Sequence, residues 1–182
     1  MRILILLWSL ICGAALPAFA DQHDPRLERL FNQLASVRTV PEAQTIVAQI
    51  ESIWRQSGSD TVDLLVARGA SASEAQDQDT AMKIFDVVAE MRPRYAEIWF
   101  RRAELLLAMD SQQEAASDLA KAVALEPRHF QAHALLGRLA DSSGNKAVAL
   151  AAFRKAVALN PTLENVAKRA GELALEVERK PL

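Results

Sequence analysis

The feature that most constrains this chain is a period of 34 residues running without a gap through its C-terminal two thirds. Three consecutive blocks align: Val62 to Tyr95, Ala96 to His129 and Phe130 to Leu163. In the third, Leu136-Gly137 stand at block positions 7 and 8, Ala149 at 20, Phe153 at 24, Ala156 at 27 and Pro161 at 32. The second has Trp99 at position 4, Ala103 at 8, Ala115 at 20, Leu119 at 24, Ala122 at 27 and Pro127 at 32. The first has Gly69, Ala81, Phe85, Val88 and Pro93 at the equivalent places. A unit this short cannot bury an apolar face alone, so the chain must fold by stacking one unit on the next.

The residue types say what the unit is. Small residues at 8 and 20 let two helices approach to about 8 to 10 Å. The aromatic or leucine at 24 fills the space between them, and Ala or Val at 27 admits the next unit. Proline at 32 cannot continue a helix, so the chain stops and turns there. Asp110-Ser111 and Ser143-Gly144-Asn145 supply turn chemistry between the two helices. Many Ala and Leu, six Gly, seven Pro and little β-branched alternation agree with a chain built from helices.

In these positions the blocks resemble the tetratricopeptide repeat (TPR). The resemblance implies an all-α fold: a right-handed TPR superhelix of antiparallel helix pairs with capping helices, A helices lining a concave face and B helices outside. The expected repeats are 62–95, 96–129 and 130–163. A solenoid cannot end on a bare apolar face, so both ends need cover. Residues 164–178 read as one further A helix, with Ala167, Ala170-Gly171 and Ala174 at the packing places, followed by a short tail, 179–182. Residues 21–59 read as a degenerate TPR-like hairpin that caps the first repeat. Its two amphipathic segments, Asp24 to Ser36 and Pro41 to Gln56, carry Leu27, Leu30, Phe31 and Leu34 on one and Ile46, Ile50, Ile53 and Trp54 on the other. Asp60 or Thr61 is expected to cap the helix that follows.

The first 20 residues read differently. Met1-Arg2, an apolar run from Ile3 to Leu16, then Pro17 and Ala18-Phe19-Ala20 have the form of a secretory signal peptide cleaved after Ala20. The apolar stretch falls short of the ~20 residues that span a bilayer, so no membrane insertion is expected after cleavage. Cys12, the single cysteine, lies inside it, leaving no disulfide, thiolate metal site or cysteine nucleophile in the remainder. Export to the periplasm or beyond is the expectation. Loss of Arg2 takes 21 Lys plus Arg to 20 against 23 Asp plus Glu, a net charge of −3 with both signs scattered. That is no footprint for nucleic acid.

For function, the resemblance implies a protein-binding scaffold that uses exposed side chains of its A helices, at about positions 2, 5, 6, 9, 12 and 13. The candidates are Val66, Glu97, Phe100, Arg101, Glu104, Arg138, Lys168 and Arg169, a partly apolar groove with a few cations suited to an aliphatic or acidic peptide. Chaperone-binding members grip a C-terminal carboxylate with a lysine and an asparagine on the first repeat. Val66 and Ala70 stand there in this chain, so that clamp is not implied. Small exported proteins of this kind look like accessory factors of envelope assembly, secretion or peptidoglycan processing. The alternative is a self-associating module, a homo-oligomer paired through Trp54, Ile50 and Phe31 of the hairpin.

Arg68 and Arg102 both occupy position 7, ordinarily a leucine between helices. A guanidinium there needs a carboxylate: Asp118 or Glu104 for Arg102, Asp86 or Glu74 for Arg68. Otherwise both belong to the groove wall. His129 and His133 have a spacing that can hold a metal, but no third ligand accompanies them and no metal is expected. No serine, histidine and aspartate form a triad, and no glycine cluster forms a phosphate loop. Neither catalysis nor a cofactor is expected.

Overall fold

The computed structural model describes residues 24–37 and 39–178; the expected signal segment and its cleavage point lie outside them. Nine α-helices and no strand occur among the described residues. They are α1 (Pro25–Ser36), α2 (Val40–Trp54), α3 (Asp60–Glu74), α4 (Gln78–Met91), α5 (Ala96–Ala108), α6 (Gln112–Leu125), α7 (Phe130–Ser142), α8 (Lys146–Leu159) and α9 (Glu164–Glu178). α3/α4, α5/α6 and α7/α8 are the A/B pairs of the three repeats, stacked in a right-handed superhelix that α9 closes.

Each A-to-B turn is made the same way. Residue 15 of the repeat is left-handed: Gln76 at φ 62°, Asp110 at φ 59° and Gly144 at φ 78°. The next N–H then reaches back to a carbonyl of the last helical turn, in Asp77 to Ala72 (2.9 Å), Ser111 to Leu106 (2.8 Å) and Asn145 to Ala140 (2.8 Å). Only the third repeat places glycine where the backbone favours it.

Positions 8 and 24 are matched to each other. A Cβ built on Gly69 would lie 2.4 Å from the Phe85 ring, and one on Gly137 would lie 2.4 Å from Phe153. Where position 8 is Ala103, position 24 is the smaller Leu119, and both are fully buried. Gly171 on α9 holds the same register with nothing within 4 Å, because no B helix follows among the described residues. Position 4 plays one role in the second and third repeats: Trp99 Nε1 donates to the Pro93 carbonyl at 2.9 Å, and His133 Nε2 lies 3.0 Å from the Pro127 carbonyl.

The N-terminal hairpin departs from expectation. Its buried residues Leu27, Leu30, Leu34, Ala43, Ile50, Ile53 and Trp54 form one cluster with Phe130 of α7, joined by Leu159 and Leu163. No residue of α3 or α4 belongs to that cluster. The hairpin therefore does not stack on the first repeat as a further unit; it lies along the junctions that precede α7 and α9. The reason is in the residue types: Trp54, Phe31 and Phe130 offer an aromatic contact far larger than anything on α3, whose Leu64 stays 62% exposed. The start of α3 differs as well. Ser59 stands at its N-cap without a side-chain bond, and Asp63 in the first turn accepts from the Ser57 N–H at 2.8 Å.

Candidate functional site

Two regions along the A helices differ in kind. At the starts of α5 and α7 the side chains are buried in a mixed aromatic and polar network. His129, 1% exposed, is sandwiched between Trp54 (ring centroids 4.5 Å, planes 16° apart) and Phe100 (4.4 Å). Its Nδ1 accepts from the Ala132 N–H at 3.3 Å, which assigns Nε2 as the donor toward Glu97 Oε2, 3.4 Å away. Glu97 also accepts from Arg101 Nε at 2.7 Å, and Arg101 reaches Glu104 at 3.1 Å. Burial opposes the charge on Glu97, but the His129 hydrogen bond and the Arg101 charge outweigh it and hold its carboxyl below the usual range. Glu104 moves the other way, raised by burial and by its neighbour Glu97 despite Arg101. Burial pushes the Tyr95 phenol up too. Its Oη and Trp54 Nε1 are buried with no hydrogen-bond partner among the described residues.

Further along the same helices the surface opens. Ala70, Ser73 and Glu74 of α3 (positions 9, 12 and 13) and Arg101, Glu104 and Leu105 of α5 (positions 6, 9 and 10) line a crevice of about 260 Å³ floored by Phe85. Arg138 holds position 9 on α7 and Lys168 position 5 on α9; both are exposed, and neither forms an ion pair with a described residue. Arg169 is committed to Asp141 through two bonds of 2.7 and 2.8 Å, and also to Glu172 at 3.0 Å. The Arg169 hydrogen bond keeps the Asp141 carboxyl below its ordinary range.

The expected groove residues thus separate. Glu104, Arg138 and Lys168 are exposed in the open part. Val66 (7% exposed) and Phe100 (3%) are core residues, and Glu97 (3%) is sealed beneath Arg101. Phe100 is lost to the groove because Ala132 and Leu135 of α7 pack with it. Arg101 and Arg169 are spent on carboxylates, so the acidic-peptide reading keeps only Arg138 and Lys168. The hairpin residues expected at an exposed self-association edge are also inside: Ile50 is 0% and Trp54 4% exposed.

The two position 7 arginines diverge. Arg102 Nε donates to buried Asp118 at 2.6 Å and its Nη1 to Asp86 at 2.7 Å, bridging the first two repeats. Lys121 also reaches Asp118 at 3.3 Å and sits 4.0 Å over the Trp99 ring. Asp86, one carboxylate expected for Arg68, is taken by Arg102; Arg68 is exposed and pairs with no described carboxylate. His129 and His133 point to different partners, and no group of three metal-ligating side chains occurs among the described residues.

The sequence reading missed the hairpin's contact with α7. One signal was available: Phe130 at position 1 is a large aromatic where the other two repeats have Val62 and Ala96.

Comparison with known proteins gives a consistent result. The tetratricopeptide repeat family model matches residues 96–129 and 130–163. A TPR repeat-containing protein of Rhizobium etli is 32% identical over 149 residues, covering 82% of this chain and 73% of that protein. The first TPR of Spaghetti (RPAP3), bound to the HSP90 peptide SRMEEVD, superposes with a TM-score of 0.59 at 16% identity, covering 64% of this chain and 93% of that one. The Yersinia enterocolitica type III secretion chaperone SycD, in complex with a peptide of the translocator YopD, gives 0.61 at 13% identity, with coverages of 65% and 96%. At these identities the structures speak to the fold.

Proposed function

The chain belongs to the tetratricopeptide-repeat family, and from that premise we propose that it is an exported scaffold which binds another envelope protein, through a peptide segment laid along the open part of its A helices. The observation that carries this reading is the pairing of the crevice between α3 and α5 with the uncommitted cations of α7 and α9. Glu74 and Glu104 make one end acidic, while Arg138 and Lys168 make the other basic. A segment of mixed charge, its acidic part toward α9, complements both. Peptide binding by the related folds, of an HSP90 peptide by one and a YopD peptide by another, is in keeping with it.

Binding rather than catalysis is the role the residues favour. The buried His129 and Glu97 serve packing and each other, and the exposed Glu74, Glu104, Arg138 and Lys168 of the open part are placed for charge complementarity with a bound segment. The form of the first 20 residues supports export, and no described helix is long and apolar enough to cross a membrane. Within the envelope, assembly, secretion and peptidoglycan processing are the settings we favour.

Affinity capture from envelope extract tests this, comparing the wild type with an Arg138→Glu/Lys168→Glu chain. A discrete partner recovered by the first and lost by the second is the expected result. Equal recovery would move the binding surface elsewhere. Mass spectrometry of the exported chain checks the cleavage, with Asp21 expected as the first residue.

A further inference from the structure

The α1–α2 hairpin meets the repeats through an interface whose composition resembles a docked ligand more than a repeat core. The apolar clusters between repeats are built mainly of alanines and leucines with Phe100 and Phe153, flanked by the Arg102–Asp86 and Arg169–Asp141 ion pairs. The hairpin meets the start of α7 through a Trp54–His129 stack, contacts of Trp54 (5.4 Å) and Phe31 (6.4 Å) with the Phe130 ring, the Arg128 guanidinium 5.2 Å from the Phe31 ring, and a hydrogen bond from Gln131 Nε2 to Glu51 Oε1 at 2.7 Å. A few aromatic anchors beside polar fixing contacts are the anatomy of a recognition surface. Trp54 Nε1, buried with no hydrogen-bond partner among the described residues, sits in this joint.

The joint covers the first residues of α7. Phe130 (1% exposed), His129 and Gln131 would all be uncovered were the hairpin to leave, together with Leu159 and Leu163. Glu51 and Trp54 are three residues apart on α2, hence on one helical face.

We propose that α1–α2 is a separable latch, and that the face it covers, centred on His129 and Phe130, is a docking site for a helix of a partner protein that carries a carboxylate three residues before an aromatic, as α2 does. While the latch is closed, the site is self-occupied, and a partner competes with a tethered rival at high effective concentration. Weakening the latch raises the apparent affinity by the increase in the open fraction. This site lies apart from the crevice of the proposed function and does not rest on it.

The test uses the full chain with Cys12→Ser and, as probe, a fluorescein-labelled peptide of residues 40–56, read by anisotropy. Trp54→Ala in the chain should bind the probe at least about tenfold more tightly than the wild type. A Glu51→Cys/Gln131→Cys chain joined by a short bis-maleimide should bind at least about tenfold more weakly than the same chain before linking. A probe with Glu51→Gln and Trp54→Ala should lose the binding. Circular dichroism and hydrogen exchange of α5–α8 establish that each chain is folded. The proposal is overturned if folded Trp54→Ala binds the probe no better than the wild type, or if linking the latch leaves binding unchanged. Because the probe comes from this chain, either result stands whether or not a partner is captured at the crevice.

Discussion

The indole of Trp54 lies stacked on the imidazole of His129, their centroids 4.5 Å apart, and Phe100 closes the other side of the ring at 4.4 Å. One residue comes from the N-terminal hairpin, one from the junction before the third repeat and one from the second repeat. The sandwich thus ties the hairpin to the middle of the solenoid rather than to its end. It also orients His129 to share Glu97 with Arg101. The remaining open surface lies further along the same A helices.

The pairing of position 8 with position 24 predicts a reciprocal rescue. Gly137→Ala gains about 1 kcal/mol of helix propensity but forces a Cβ to 2.4 Å from the Phe153 ring, an overpacking that costs about 1 to 3 kcal/mol. Net destabilisation of about 1 kcal/mol is expected in urea unfolding. Adding Phe153→Leu should recover most of it, since Ala103 with Leu119 is the same pair in the second repeat. Gly171→Ala meets nothing within 4 Å, and it should stabilise by up to about 1 kcal/mol.

Two turns carry a removable strain. Gln76 and Asp110 are left-handed at φ 62° and 59°, which costs a residue with a side chain roughly 1 kcal/mol. Gln76→Gly and Asp110→Gly should each raise the melting temperature, while Gly144→Ala at the equivalent place should lower it. A melting series on the three variants checks the signs.

The two position 7 arginines should separate cleanly. Arg102→Met leaves the 2% exposed Asp118 side chain with only Lys121 at 3.3 Å, and a loss of about 2 to 3 kcal/mol is expected. Arg102→Met/Asp118→Leu should restore most of that stability, because no buried charge is then unpaired. Arg68→Met, at an exposed residue, should change stability by less than about 0.5 kcal/mol.

Much of this was legible in the sequence, and the exceptions share a cause. The three repeats, their turns and the terminal helix follow from periodicity and from small residues at fixed positions, which local packing dictates. Asp118 could be named for Arg102 because both lie in one repeat, 16 residues apart. Asp86 could not, since that bond crosses between repeats. The fates of Val66, Phe100 and the hairpin were hidden for the same reason. Position in a repeat predicts which way a side chain points, and it says nothing of what another part of the chain lays over it.

Stability should fall in two stages as pH drops. Burial depresses the His133 pKa below its ordinary 6.5, so the unfolded chain takes up a proton first and stability declines below about pH 6.5. Glu97 is held below its ordinary 4.5; its contribution is full above that value and is lost as pH falls through the lower folded one. Urea midpoints measured between pH 8 and 3 should therefore show the upper stage vanish in His133→Gln and the lower stage shrink in Glu97→Gln.

Photo-crosslinking in native cells reports which surface of the solenoid a partner touches. A benzophenone side chain is placed in turn at Arg138, at Lys168 and, on the outer side, at Val148, which is 61% exposed on α8. One crosslinked product of common mass is expected from the first two positions and none from the third. A product from Val148 alone, with Arg138 and Lys168 silent, would contradict it.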